Sequence, residues 1–145
     1  MKSAASSPNV QPAVPGGEAI ARRAALVAWE KKAEDILVLD VRGLCEVTDY
    51  FVLASAGSDV HVEAVSEGIE EALVRDGARP MQVEGRAARR WVLLDYVDCV
   101  VHVFYRETRE YYGLERLWGD APAKVVGERG DLAPVADPAG AVGRS

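Results

Sequence analysis

Residues 90–105 read Arg-Trp-Val-Leu-Leu-Asp-Tyr-Val-Asp-Cys-Val-Val-His-Val-Phe-Tyr. Two apolar runs, residues 90–95 and 98–105, flank the dipeptide Tyr96-Val97, the pattern of a β-hairpin. With a two-residue turn there, Asp95 faces Asp98, Leu93 faces Val100 and Trp91 faces His102, because side chains alternate along a strand. One face then carries Val92, Leu94, Cys99, Val101, Val103 and Tyr105, nearly pure hydrocarbon, and is expected to be core. The other carries Trp91, Leu93, His102 and Phe104, with the carboxylates Asp95 and Asp98 at its end. Aromatic residues beside charge are the composition of a binding patch. The competing reading is a helix lying over this face, and the strand pattern alone does not choose between them. Opposed carboxylates weaken a hairpin unless they are exposed or met by a cation. Val97 suits a positive-φ turn poorly, and a different turn would shift the register.

Working outward, residues 18–32 predict a helix with Ile20, Ala24, Val27 and Ala28 on one face, and Leu26 and Trp29 off it. Residues 35–41 and 50–55 are short apolar runs that do not alternate, which predicts strands buried on both faces. Residues 59–76 predict a helix whose buried stripe is Val62, Val65, Ile69 and Leu73, with Glu63, Glu67 and Glu71 on its solvated side. Residues 79–84 predict a further strand. Residues 106–118 predict a last helix, weakened by Gly113, with Tyr111, Leu114 and Trp118 in a row and Leu117 beside them. The order α-β-β-α-β-β-β-α indicates a single α/β domain with a mixed sheet of about five strands flanked by helices. Residues 1–17 and 120–145 are rich in Pro, Gly, Ala and Ser and are expected to be flexible tails around a folded domain at 18–119.

The chain of 145 residues carries a formal charge of −6. Residues 18–122 hold 20 acidic and 13 basic side chains, so the acidity belongs to the domain. Nucleic-acid binding is driven by neutralised phosphates and calls for basic surface, so little direct nucleic-acid binding is expected. A basic protein partner fits better. Cys45 and Cys99 stand in no disulfide or metal spacing and read as small core residues. No stretch approaches the length of a membrane span, and residues 1–17 hold no apolar run like a signal peptide, so a cytosolic location is expected.

His61 and His102 are the two histidines, and no Ser-His-Asp or Cys-His arrangement stands out. Gly57-Ser58 between a strand and a helix has the form that holds phosphate in nucleotidyltransferases. Those enzymes also need a spaced acidic pair for magnesium, whereas Gln82-Val83-Glu84 supplies one carboxylate. A plain strand-to-helix turn is the favoured reading, and no metal or cofactor is expected.

Lys32-Ala33-Glu34-Asp35 leading into Val38-Leu39-Asp40-Val41, then Thr48-Asp49-Tyr50-Phe51-Val52, are similar to the ribosomal silencing factor family, also called iojap-related. The strongest match is residues 90–96, then Asp98 and residues 100–104, completed by Arg109, Tyr112 and residues 114–118. Ala56, Gly57, Val60 and Gly113 depart from the family pattern. The resemblance implies a nucleotidyltransferase-like fold without catalysis and a homodimer. It implies binding to ribosomal protein L-fourteen on the subunit-joining face of the large ribosomal subunit. That would block the small subunit and repress translation when nutrients are scarce. Organelle relatives act in large-subunit assembly. On this reading Trp91, Leu93, Asp95, Asp98, His102 and Phe104 form a docking patch, joined by Tyr111, Leu114, Glu115, Leu117 and Trp118. The aromatic and aliphatic side chains supply buried area, and Asp95, Asp98 and Glu115 meet Lys or Arg of the partner.

Overall fold

The computed structural model describes residues 14–127 and 130–134. Of the expected tails, residues 1–13, 128–129 and 135–145 lie outside that range, whereas 120–127 and 130–134 lie within it. In chain order the elements are α1 (Gly17–Glu30), β1 (Glu34–Asp40), β2 (Tyr50–Ala56), α2 (Asp59–Arg75), β3 (Gln82–Glu84), β4 (Trp91–Asp95), β5 (Cys99–Tyr105) and α3 (Arg106–Tyr112). A 3-10 segment (Leu114–Trp118), β6 (Ala123–Val126) and β7 (Leu132–Pro134) follow. The strands form one sheet in the order β3-β4-β5-β2-β1-β6-β7. β2 and β5 run parallel, and every other neighbouring pair is antiparallel.

β2 and β5 are buried along nearly their whole lengths, as their unbroken apolar runs require. α1 and α2 cover one face of the sheet. Their expected stripes, Ile20, Ala24, Val27 and Ala28 on α1 and Val62, Val65, Ile69 and Leu73 on α2, are all buried against Val52, Ala54, Val92, Leu94, Val101 and Val103. α1 starts beside the β4–β5 turn, where only glycine fits at position 17. A Cβ there would lie 2.7 Å from the carbonyl oxygen of Asp98.

Seven strands replace the expected five because β6 and β7 lie beyond the expected boundary at residue 119. β6 pairs with β1 through Leu37–Val125 and Leu39–Ala123, and β7 closes a hairpin on β6. The expected last helix divides in two. Gly113 adopts the left-handed conformation at φ 57° and its N–H bonds the carbonyl of Arg109, which ends α3. The chain turns at this left-handed glycine and resumes as the 3-10 segment.

The hairpin register also differs from expectation. Asp95 pairs with Val100, Leu93 with His102 and Trp91 with Phe104. The shift is two residues, so every side chain keeps its expected face, but Asp95 and Asp98 no longer oppose each other. The Asp98 N–H bonds the Tyr96 carbonyl at 2.9 Å across Val97, whose φ is 74°. That is the rare, positive-φ γ-turn, and a β-branched residue in it is strained. Such strain costs about 1–3 kcal/mol, against about 0.5–1 kcal/mol for the greater chain entropy of glycine. Val97→Gly is therefore expected to raise stability by about 1 kcal/mol in urea unfolding with an unchanged m-value. A neutral or destabilising result would show that the turn is relaxed with valine in place.

Candidate functional site

On the sheet face opposite α1 and α2, β4 presents Trp91, Leu93 and Asp95 beside Phe104, His102 and Val100 of β5. β2 adds Phe51, Leu53 and Ser55 to the same face, and β3 adds Gln82 and Glu84. α3 and the 3-10 segment lie over part of it. Leu114 and Trp118 pack against the buried cluster of Leu39, Val41, Leu53, Phe104 and Ala121. What holds this cover down is Arg109, which is buried. Its guanidinium donates to the Asp35 carbonyl at 2.6 Å, to Ser55 Oγ at 2.9 Å and to Glu115 Oε2 at 3.3 Å. Three elements, β1, β2 and the 3-10 segment, thus share one cation. A buried charge is tolerated only when its donors are met in this way.

The rings on this face form a chain. Tyr111 meets Tyr112 edge-on at 5.0 Å between centroids, and Tyr112 meets Trp91 at 5.0 Å. Trp91 meets Phe104 at 4.9 Å and His102 at 5.9 Å. His102 meets Phe51 at 5.3 Å, and Phe51 meets Trp118 at 5.5 Å. Tilted aromatic pairs at these distances stabilise by about 0.5–1.5 kcal/mol beyond the area they bury.

Exposure sorts the expected patch residues into separate roles. Trp91, Leu93, Asp95, Leu114, Glu115 and Trp118 are half-buried, and Tyr111 and Leu117 are exposed. Phe104 and His102, expected at the surface, are 0% and 4% exposed and lie beneath it. His102 is enclosed by the rings of Phe51, Trp91 and Phe104, and Leu114 and Trp118 of the 3-10 segment pack on the cluster that holds Phe104. Asp98 also departs from expectation. Its Cβ lies 3.1 Å from where a side chain on Gly17 would begin, so it belongs to the α1 end of the molecule. Glu115 is engaged by Arg109 and is not a free carboxylate. Among the residues that join the face and that sequence reasoning had not placed there, Phe51, Tyr112 and Glu84 matter most. Glu84 lies on β3 opposite Leu93 and accepts from Gln82 Nε2 at 2.7 Å. With Asp95 it makes an acidic margin along the open edge. The signal for Glu84 was its alternation with Gln82 along β3; Phe51 required knowing that β2 lies beside β5.

The Gly57-Ser58 turn is a helix start. Ser58 Oγ accepts from the His61 N–H at 3.1 Å, and the guanidinium of Arg106 lies over Gly57 while bonding Glu34 at 2.7 Å. Among the described residues no three His, Cys, Asp or Glu side chains converge to hold a metal ion. Cys99 is fully buried, and desolvation raises its thiol well above the usual range, which leaves it unreactive. What this face offers is contact area: a half-buried aromatic chain with carboxylates at one edge.

Comparison with known proteins bears on the whole domain. The family described as "Ribosomal silencing factor during starvation" matches residues 16–141. The ribosomal silencing factor of Bacillus subtilis (strain 168) is 44% identical over 105 residues, which is 72% of this chain and 89% of that protein. A mouse protein named "Mitochondrial assembly of ribosomal large subunit protein 1" is 34% identical over 92 residues, 61% of this chain but 40% of that one. The crystal structure of a Chromobacterium violaceum protein superposes with a TM-score of 0.69 at 30% identity, covering 83% of this chain and 96% of that one.

His102 gives the face a measurable signature. Burial pushes its pKa down to about 4, against about 6.5 for a free imidazole. The unfolded chain takes up this proton as pH falls through about 6.5, whereas the folded chain takes it up only near about 4. The stability due to the neutral ring is therefore complete above about pH 6.5 and is lost progressively down to about pH 4. In that window His102 should add a slope approaching about 1.4 kcal/mol per pH unit to the unfolding free energy. His102→Phe should remove that component and leave the carboxylate contribution. Urea unfolding of both proteins at several pH values checks it, and identical slopes would mean that the ring is charged or exposed in the folded state.

Proposed function

We infer the function from one premise: the chain belongs to the ribosomal silencing factor family. The protein binds the large ribosomal subunit through ribosomal protein L-fourteen, at the surface where the small subunit joins. By occupying that surface it keeps the subunits apart and represses translation under nutrient limitation. This mechanism makes and breaks no covalent bond, which accords with relatives named for silencing and with a face built of contact area. It acts in the cytoplasm as a homodimer.

The observation that carries the reading is the uncovered part of the aromatic face: Trp91, Leu93, Phe51 and Trp118 half-buried in a row, with Tyr112 and Leu117 exposed beside them. An apolar centre with a charged margin is how protein interfaces are composed. Asp95 and Glu84 give that margin a negative sign, suited to a basic ribosomal protein. Trp91, Leu93, Leu114, Leu117, Trp118 and Tyr111 supply the contact area, and His102 and Phe104 support it from below.

A second reading, assembly of the large subunit, is favoured by the name of the mouse relative. On that reading the protein leaves before translation begins, and it is enriched on immature large subunits. Nucleotidyl transfer is the third. Magnesium-dependent nucleotide binding that is lost in Glu84→Ala would support it, and none is expected at millimolar nucleotide.

Sedimentation of purified subunits, at magnesium levels that favour joining, separates these readings. The protein is expected to co-migrate with the large subunit and to shrink the joined peak. Trp91→Ala, with its fold verified, should weaken binding by about 2 kcal/mol or more, roughly thirtyfold. Normal binding by this variant would remove Trp91 from the contact, and a protein that stays at the top of the gradient would end the silencing reading.

A further inference from the structure

Trp91 donates its indole N–H to Nδ1 of His102 at 2.9 Å. To accept, Nδ1 must keep its lone pair, so the neutral ring carries its proton on Nε2. Among the described residues Nε2 has no hydrogen-bond partner, and it is buried. A buried, unmet N–H costs about 1–3 kcal/mol. A phenyl ring at position 102 would avoid that cost, and its neighbour Phe104 stacks parallel to His102 at 5.9 Å and 12°. What the imidazole offers and a phenyl cannot is the acceptor facing Trp91.

Packing leaves a job for that acceptor. Phe104 and Tyr112 flank the indole at 4.9 and 5.0 Å. A half-turn of the indole about χ2 would carry its six-membered ring to the other side and take Nε1 away from His102. The hydrogen bond adds to the ring contacts in holding the orientation observed, with Nε1 toward the imidazole.

We propose that His102 is a positioning residue that turns the Trp91 N–H inward, so that Trp91 presents an apolar edge and is met by an apolar side chain or by the aliphatic stem of a lysine or arginine, not by a hydrogen-bond acceptor. The proposal rests on Trp91 being a docking anchor. It assigns His102 a part in binding that involves no contact with the partner. Burial keeps the imidazole neutral at physiological pH, so the acceptor is always available. Trp118 supplies a contrast within the same face, since its buried Nε1 has no partner among the described residues.

The test uses the full chain with 15N-labelled tryptophan. Its three indole N–H signals come from Trp29, Trp91 and Trp118, and Trp91→Phe identifies the second. His102→Phe, which lacks an acceptor, should move the Trp91 signal upfield. It should also weaken large-subunit binding by about tenfold, as expected for one hydrogen bond. His102→Asn, whose Oδ1 can stand in for Nδ1, should restore both the signal and the affinity. If the phenylalanine variant fails to fold, His102→Leu also lacks an acceptor and poses the same question. If Trp91→Ala weakens binding and the acceptor-less variant binds normally, docking stands and the positioning role is overturned. If Trp91→Ala binds normally, the docking reading falls and the proposal with it. An unmoved indole signal in the acceptor-less variant overturns the hydrogen bond itself.

Discussion

The parallel pairing of β2 with β5 is the constraint from which the rest of the structure follows. Parallel neighbours cannot be joined by a tight turn, so the chain between Ala56 and Cys99 must leave the sheet and return. It does so through α2 and the β3–β4 edge. Strands this apolar must also be covered on both faces. α1 and α2 cover one face fully. For the other, the described residues after Tyr105 offer only α3 and the short 3-10 segment as cover. That cover is too small, and the rings it leaves half-exposed are the candidate docking surface. On this view the surface is the part of a two-sided core that the described residues do not close over.

Arg109 determines how far the cover reaches. One guanidinium satisfies the Asp35 carbonyl at the bulge of β1, the Ser55 hydroxyl on β2 and the Glu115 carboxylate. An alanine there would leave the buried Ser55 hydroxyl and the part-buried acceptors of Asp35 and Glu115 without this donor, which costs more than losing an exposed ion pair. The cover carries Tyr111, Tyr112, Leu117 and Trp118, so their placement depends on a residue that is itself 7% exposed. On the proposed docking reading, residues that shape the interface and residues that touch a partner are different sets, and Arg109 and His102 belong to the first.

Local pattern revealed a good deal of this. The helical stripes of α1 and α2 and the unbroken runs of β2 and β5 each carry their period within a short stretch of chain. The two faces of the hairpin were also legible, and they survived a register error because the slip was by two residues. The turn was misread because valine rarely accepts positive φ, yet Val97 does so while its N–H bonds the Asp95 carboxylate at 2.8 Å. β6 and β7 escaped notice because each is short and lies among prolines and glycines, and because β6 pairs with β1, far earlier in the chain, while β7 pairs only with β6. The burial of His102 and Phe104 and the membership of Phe51 are also non-local facts, set by which strand lies beside β5 and by what lies above it. The alternation of a strand divides its side chains between two faces, but it does not say what covers either one.

The separation of apolar and charged groups on this face has a kinetic consequence. Glu115 is neutralised by Arg109, and Asp98 lies toward α1, so the free carboxylates that border the rings are Asp95 and Glu84 at the open edge. Charge at the rim of a contact mainly steers approach and sets its salt dependence, whereas buried apolar anchors mainly set how long the complex lasts. With its N–H turned toward His102, Trp91 brings no unmet donor to the interface, so docking need not leave a polar group dry. For the proposed silencing role, a steric blocker must stay in place longer than its competitor takes to arrive. On that proposal the aromatic chain, held from below by His102 and from the side by the Arg109-anchored cover, is what would lengthen the residence time.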